Sequence, residues 1–154
     1  MTFASHQSKK LMQFDPNNAI VKLCAEGMEM EGRGNPQEAR KLFYQAWNEA
    51  ATGFEKFTAA HYVARHQENV ADKLRWDREA LQHALSLDPE TVKGALPSLY
   101  LNIAKCYEDL DDTGNAKLNY ELGLSYTDAL QDDGYGSMIR KGILAGIERI
   151  TQNP

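Results

Sequence analysis

Apolar residues return along this chain at three- and four-residue steps, and the clearest run lies between Pro97 and Leu130. Tyr100, Ile103, Ala104, Tyr107 and Leu110 fall on one face of a 3.6-residue helix, and Ala116, Tyr120 and Gly123 on one face of a second. Asp111, Asp112, Thr113 and Gly114 divide them, which predicts a helical hairpin. The small residues Ala104, Ala116 and Gly123 mark where two antiparallel helices approach closely. Tyr107 and Tyr120 supply bulk beside them.

The same period reaches upstream. Residues 18–31 place Ile20, Leu23, Ala25, Gly27 and Met30 mostly on one helical face, and Gly32-Arg33-Gly34 ends the run. Asn35-Pro36-Gln37-Glu38 then reads as a helix start: Asn as cap, Pro in the first turn, and Glu placed to reach back to the cap amide. That helix is expected to run to about Ala51 on a face of Ala39, Leu42, Phe43, Ala46 and Trp47. After Thr52-Gly53 a longer helix is predicted over about 55–71, with Phe57, Ala60, Val63 and Ala64 inward. A fourth follows over 73–87 with Leu74, Leu81, Ala84 and Leu85 inward, closed by Asp88-Pro89. Pro97 marks the effective start of the next helix, because a proline deep in a helix costs about 3 kcal/mol. Beyond the turn at Gln131-Asp132-Asp133-Gly134, Ile139, Ile143, Ile147 and Ile150 stripe a last helix over about 136–151. No alternating run long enough for a strand occurs, so the reading is all-α with seven helices.

Composition narrows the class. The 154 residues are enough for one domain with a continuous core, and 42% hydrophobic with 25% charged residues is ordinary for a globular protein. Seventeen Lys and Arg against 22 Asp and Glu leave a net charge of −5. With no basic run longer than Lys9-Lys10, no nucleic-acid role is expected. Cys24 and Cys106 fall inside helical patterns without paired spacing or a nearby histidine, which predicts a reduced, cytoplasmic compartment and no metal site. No 18-residue apolar run occurs, and residues 1–14 form a polar segment without an apolar signal core, so neither membrane insertion nor secretion is expected.

Self-similarity organises these helices. Ala46, Ala84 and Gly123 recur at intervals of 38 and 39 residues. Ala104, Ala116, Tyr120 and Gly123 stand where the tetratricopeptide repeat (TPR) places a small residue, Ala, an aromatic and a small residue, with Asp128 at its terminal Pro position. Gly27, Ala39, Phe43 and Ala46 match the same four positions, with Leu23 and Met30 at the bulky ones. The chain therefore resembles a TPR protein over roughly residues 18–130. The middle unit departs most: Ala84 and Pro89 fit and Leu81 stands for the aromatic, but Asp77 replaces the expected Ala, and Ala64 fits only with one extra residue between the helices. The string His61-Tyr62-Val63-Ala64-Arg65-His66-Gln67, followed by Leu74-Arg75-Trp76, is also similar to small stand-alone bacterial TPR-like proteins of unassigned role.

The resemblance implies a right-handed superhelical stack of three hairpins, over about 18–52, 55–89 and 94–130, with the last helix as a cap. One hairpin cannot bury its own stripe, and about three are needed before such a stack is stable. Residues 15–154 would form this single unit.

The same resemblance implies binding of an extended peptide or a helix in a concave groove lined by the first helix of each pair. The family's groove positions fall on Cys24, Met28 and Glu31 in the first unit and on His61, Arg65, Glu68 and Asn69 in the second. In the third they fall on Ser98, Leu101, Asn102, Lys105, Glu108 and Asp109. Met28, His61, Arg65, Leu101, Asn102 and Lys105 are the expected contacts. Arg65, Lys105 and His61 would make a basic centre suited to an acidic segment or a free peptide carboxylate.

The expected function is a non-catalytic protein- or peptide-binding adaptor that needs no cofactor. A chaperone-type carboxylate clamp is only fragmentary, with Asn102 alone suggestive of it, so no cochaperone role is expected. His61 and His66 are five residues apart, which turns them to different sides of a helix, so they do not chelate one ion. No Gly-x-Ser-x-Gly, P-loop or Gly-x-Gly-x-x-Gly occurs. Two alternatives stand beside this reading. A self-associating module would use the C-terminal helix, whose Gly142 and Gly146 allow close approach and a homodimer seam. A small-molecule sensor or enzyme would use the His61 to His66 region, and requires a pocket there with convergent polar groups.

Overall fold

The computed structural model describes residues 15–153, and the polar segment expected over 1–14 lies outside them. Among the described residues the protein is all-α, with eight α-helices and no strand: α1 (Ala19–Gly32), α2 (Pro36–Glu49), α3 (Gly53–Ala64), α4 (Val70–Leu85), α5 (Pro89–Val92), α6 (Leu96–Asp109), α7 (Thr113–Ser125) and α8 (Gly134–Gln152), with a 3-10 turn at Thr127–Ala129. The additional element is the single turn α5, where Asp88 caps the Glu90 amide and Pro89 occupies the first turn.

Helix boundaries follow local chemistry. Asn35 accepts from the Glu38 amide at 3.3 Å, but the expected return bond from Glu38 is not made, because the Asn35 amide already donates to the Met30 carbonyl at 2.9 Å. That bond closes the end of α1 through Gly34, whose φ of +76° suits glycine. The reciprocal capping box forms instead at Thr52 and Glu55. The helix expected to reach residue 71 stops at Ala64. Gln67 folds back to donate to the Val63 carbonyl at 3.0 Å and to the Tyr44 hydroxyl at 2.9 Å, and Asn69 starts α4 by capping Asp72 at 2.8 Å.

The helices pack in sequential pairs. α1 lies on α2, α3 on α4, and α6 on α7; successive pairs join through α2 with α3 and α4 with α6, and α8 covers α6 and α7. α1 also touches α3, and α6 touches α8, whereas α3 and α6 are bridged mainly through α4. Three apolar clusters fill these seams. The first joins Ile20, Cys24, Phe43 and Val63; the middle one joins Ala60, Ala80, Ala84, Leu96 and Leu99; the last joins Ala104, Ala116, Tyr120, Ile139 and Ile143.

Most expected core faces are buried, and small residues sit where bulk approaches. A Cβ built on Gly27 would lie 2.3 Å from the Phe43 ring, and one on Gly123 would lie 3.2 Å from Ile143. α4 differs. Its buried residues are Asp77, Ala80 and Ala84, while Leu74 and Leu81 are only half-buried and Leu85 is 52% exposed. Close helix packing selects the face of small residues: Ala84 is buried as expected, Leu81 packs on the edge of the middle cluster, and Leu85 turns outward.

No helix among the described residues is long and apolar enough to cross a membrane.

Candidate binding surface

α1 and α3 bring together the first part of the expected groove. The Glu31 carboxylate at the end of α1 forms an ion pair with Arg65 at 3.1 Å and a hydrogen bond with the His66 Nε2 at 3.0 Å. Arg65 lies over the Tyr62 ring at 5.6 Å, and Tyr62 stacks on Phe43 at 5.0 Å, so the charged head is carried on an aromatic column rooted in the core. Met28 is 46% exposed on α1. Tyr135, in the first turn of α8, is also exposed. Burial first, then Cys24 and other acidic neighbours, holds the Tyr62 hydroxyl above the usual tyrosine range.

The other expected contacts separate. His61 is half-buried with its Nδ1 enclosed and unpaired among the described residues. Burial, with Arg65 and Lys73 nearby, pushes its pKa down to about 4, so it is neutral at pH 7. On α6, Leu101 packs 3.1 Å from the place a Gly142 Cβ would occupy, so it belongs to the seam with α8. Asn102 is half-buried. Lys105 is exposed but forms an ion pair with Asp109 one turn on.

The expected basic centre is therefore not open. Arg65 and Lys105 each face a carboxylate of the same chain, and His61 carries no charge. Of the other carried-over positions, Cys24 is buried in the first cluster, Glu68 lies beyond the end of α3, and Asn69 caps α4.

Two polar arrangements escaped the sequence reading. Glu108 accepts from Arg149 through both oxygens, at 2.8 and 3.0 Å, and from the Tyr120 hydroxyl at 2.6 Å, which ties α6, α7 and α8 together. The Arg149 hydrogen bonds hold the Glu108 carboxyl below the usual range, and burial followed by Glu108 holds the Tyr120 hydroxyl above its own. The second is Asp77, 1% exposed at the seam of α4 with α6. Its Oδ2 accepts from Lys73 at 2.6 Å, the Cys106 thiol lies 3.6 Å away, and Oδ1 has no partner among the described residues. The repeat pattern marked Asp77 as out of place but not its partners.

Neither cysteine is placed as a nucleophile: burial pushes the Cys24 thiol up to about 12 and the Cys106 thiol up to about 11. His61 lies on α3 and His66 beyond its end, turned to Glu31. No group of three His, Cys, Asp or Glu side chains among the described residues is arranged to hold a metal ion. Gly142 and Gly146 face inward, against Leu101 and the Tyr120 ring, so the glycine face of α8 is filled by its own chain. Comparison with protein-family models, with curated proteins and with solved structures finds no match.

Proposed function

We propose that this chain is a TPR-like adaptor, a right-handed stack of three helix pairs capped by α8, which binds an acidic protein or peptide segment on the face of α1 and α3. The order of packing agrees with such a stack, as do the small residues at the seams: Gly27 under Phe43, and Gly123 against Tyr100 and Ile143. The observation that carries the binding role is the node at Glu31. Arg65 and His66 converge on one carboxylate at the surface, beside exposed Met28. A carboxylate from a partner has the same chemistry and competes with Glu31 for the same donors. Lys105 and Asn102 on α6 stand apart from this node, and in this proposal they form a second set of contacts for the same segment.

The test uses the full chain to capture partners from the source cell, with mass spectrometry and then titration of an identified acidic segment. Arg65→Glu combined with Lys105→Glu is expected to abolish capture, and Glu31→Gln to tighten binding by removing the internal competitor. Unchanged affinity in the double variant overturns the assignment of the face; weaker binding in Glu31→Gln overturns the competition.

A further inference from the structure

Both tryptophans of the chain, Trp47 on α2 and Trp76 on α4, meet where those helices come together. Their ring centroids are 5.0 Å apart and their planes are perpendicular, at 89°, so the rings form two walls of a corner. Each is half-buried: it packs against the apolar clusters and also borders a cavity of about 210 Å³. Among the described residues the rest of the lining is Arg75 and Glu79, one turn apart on α4. Neighbouring side chains hold these walls in place. Tyr44 meets Trp76 edge-on at 6.0 Å, His83 lies against Trp47 at 6.1 Å, and the His83 Nε2 forms a hydrogen bond with the Glu79 carboxylate at 3.1 Å.

We propose that this corner binds a small zwitterion of the betaine class, one that carries a quaternary ammonium and a carboxylate. Indole faces attract a cation through their π density, and the Glu79 carboxylate on the same lining adds a full negative charge. Arg75 supplies the opposite sign. Its guanidinium is exposed and pairs with Asp72 at 3.4 Å, a contact wet enough to be exchanged easily. A ligand with only a positive charge is opposed by Arg75, and one with only a negative charge by Glu79. A zwitterion satisfies both. The methyl groups follow from the supply of acceptors. A primary ammonium has three N–H donors to satisfy, and this lining offers it one carboxylate, because indole N–H groups donate and do not accept. A trimethylammonium has no donor to leave unpaired, and it sets its methyl groups against the ring faces.

Titration of the full chain with glycine betaine, followed by tryptophan fluorescence, tests the site, because every tryptophan of the chain lines it. Calorimetry supplies the stoichiometry. The expected result is saturable one-to-one binding with a Kd of about 1–10 mM. The probe tert-butylacetate has the same shape and carboxylate, with carbon in place of the charged nitrogen. It is expected to bind at least about fivefold more weakly, equivalent to about 1 kcal/mol. Glycine, which lacks the methyl groups, is expected to give no saturation in the same range. Glu79→Gln is expected to weaken glycine betaine by about fivefold or more. Arg75→Gln is expected to weaken glycine betaine but not choline, which has no carboxylate. Circular dichroism of both variants is expected to match the parent, since neither side chain is buried. No saturation by glycine betaine, equal affinity for tert-butylacetate, or an affinity indifferent to both substitutions overturns the proposal. None of these residues belongs to the face of α1 and α3, so failure here leaves that assignment standing.

Discussion

Removing the carboxylate of Asp77 should stabilise the protein, although Asp77 holds an ion pair. The side chain is 1% exposed, so its charge has lost nearly all contact with water. Lys73 at 2.6 Å returns part of that loss, but Oδ1 faces no donor among the described residues. An unpaired buried acceptor costs about 1–3 kcal/mol, against about 1.5–3 kcal/mol gained from a charged hydrogen bond. Desolvation of the charge itself costs several kcal/mol more. Breaking a buried pair is usually harmful because the surviving charge is stranded. Here the survivor is Lys73, whose side chain is 35% exposed and can turn to water. Asp77→Ala also gains up to about 0.7 kcal/mol of helix propensity and leaves a cavity of only three heavy atoms. The net expectation is a gain of about 1–3 kcal/mol, read as a rise of roughly 1 M in the urea midpoint.

The pH dependence supplies an independent sign. Burial raises the Asp77 carboxyl above its ordinary value near 3.8, even with Lys73 opposing. The folded state therefore binds this proton more tightly than the unfolded chain, and protonation favours folding. The cost of the carboxylate is fully present above the raised folded pKa and fades as pH falls toward the unfolded value. The advantage of Asp77→Ala should be largest at pH 7 and shrink on acidification through that window. A variant less stable than the parent at pH 7, or a gain that stays constant down to pH 4, would refute this account of the seam.

Gly146→Ala should cost about 1–3 kcal/mol in thermal unfolding despite the better helix former, since the added Cβ would lie 2.2 Å from the packed Tyr120 ring. Arg149→Ala should loosen α8 and cost about 1–3 kcal/mol, because it leaves Glu108 with one donor; faster amide exchange in α8 would report it. The Glu108 carboxyl is held low, so its contribution is present above the ordinary glutamate pKa and is lost as pH falls through the folded value, an acid sensitivity that Glu108→Gln should remove. Thr52→Ala should cost about 1 kcal/mol by opening the capping box at α3, measurable by urea unfolding.

What the sequence made legible depended on how many faces each helix offers. On α7 the repeat pattern selects the right face: Ala116, Tyr120 and Gly123 are all buried as their spacing predicts, while Leu118 and Leu124 stand exposed on other sides of the helix. α4 has two, and apolar weight favoured the wrong one: three leucines outweigh two alanines and an aspartate in any hydropathy count. Packing reverses that order, because close approach of α3, α4 and α6 requires small side chains facing the seam. Of the leucines, Leu81 packs on the edge of the middle cluster and Leu85 stays exposed, and the aspartate that looked like a defect in the repeat becomes a charged group locked between two helix pairs.

The polar site was less legible because its partners are distant in sequence. Spacing places Arg65 and His61 one turn apart, but it does not reveal that α3 ends at Ala64 or that Glu31 waits across the seam. The ion pair so formed neutralises Arg65 without disabling it. Arg65 is 45% exposed and Glu31 is 22% exposed, and a pair this wet contributes roughly 0–1 kcal/mol. A partner carboxylate that also engages Met28 and the α6 residues exceeds that amount with a single good contact. On the proposed reading Glu31 would act as a weak internal occupant, one that keeps Arg65 and His66 oriented and yields to a stronger ligand. The basic centre expected from the sequence is closed in the free chain, and the proposed segment would open it by exchanging one carboxylate for another.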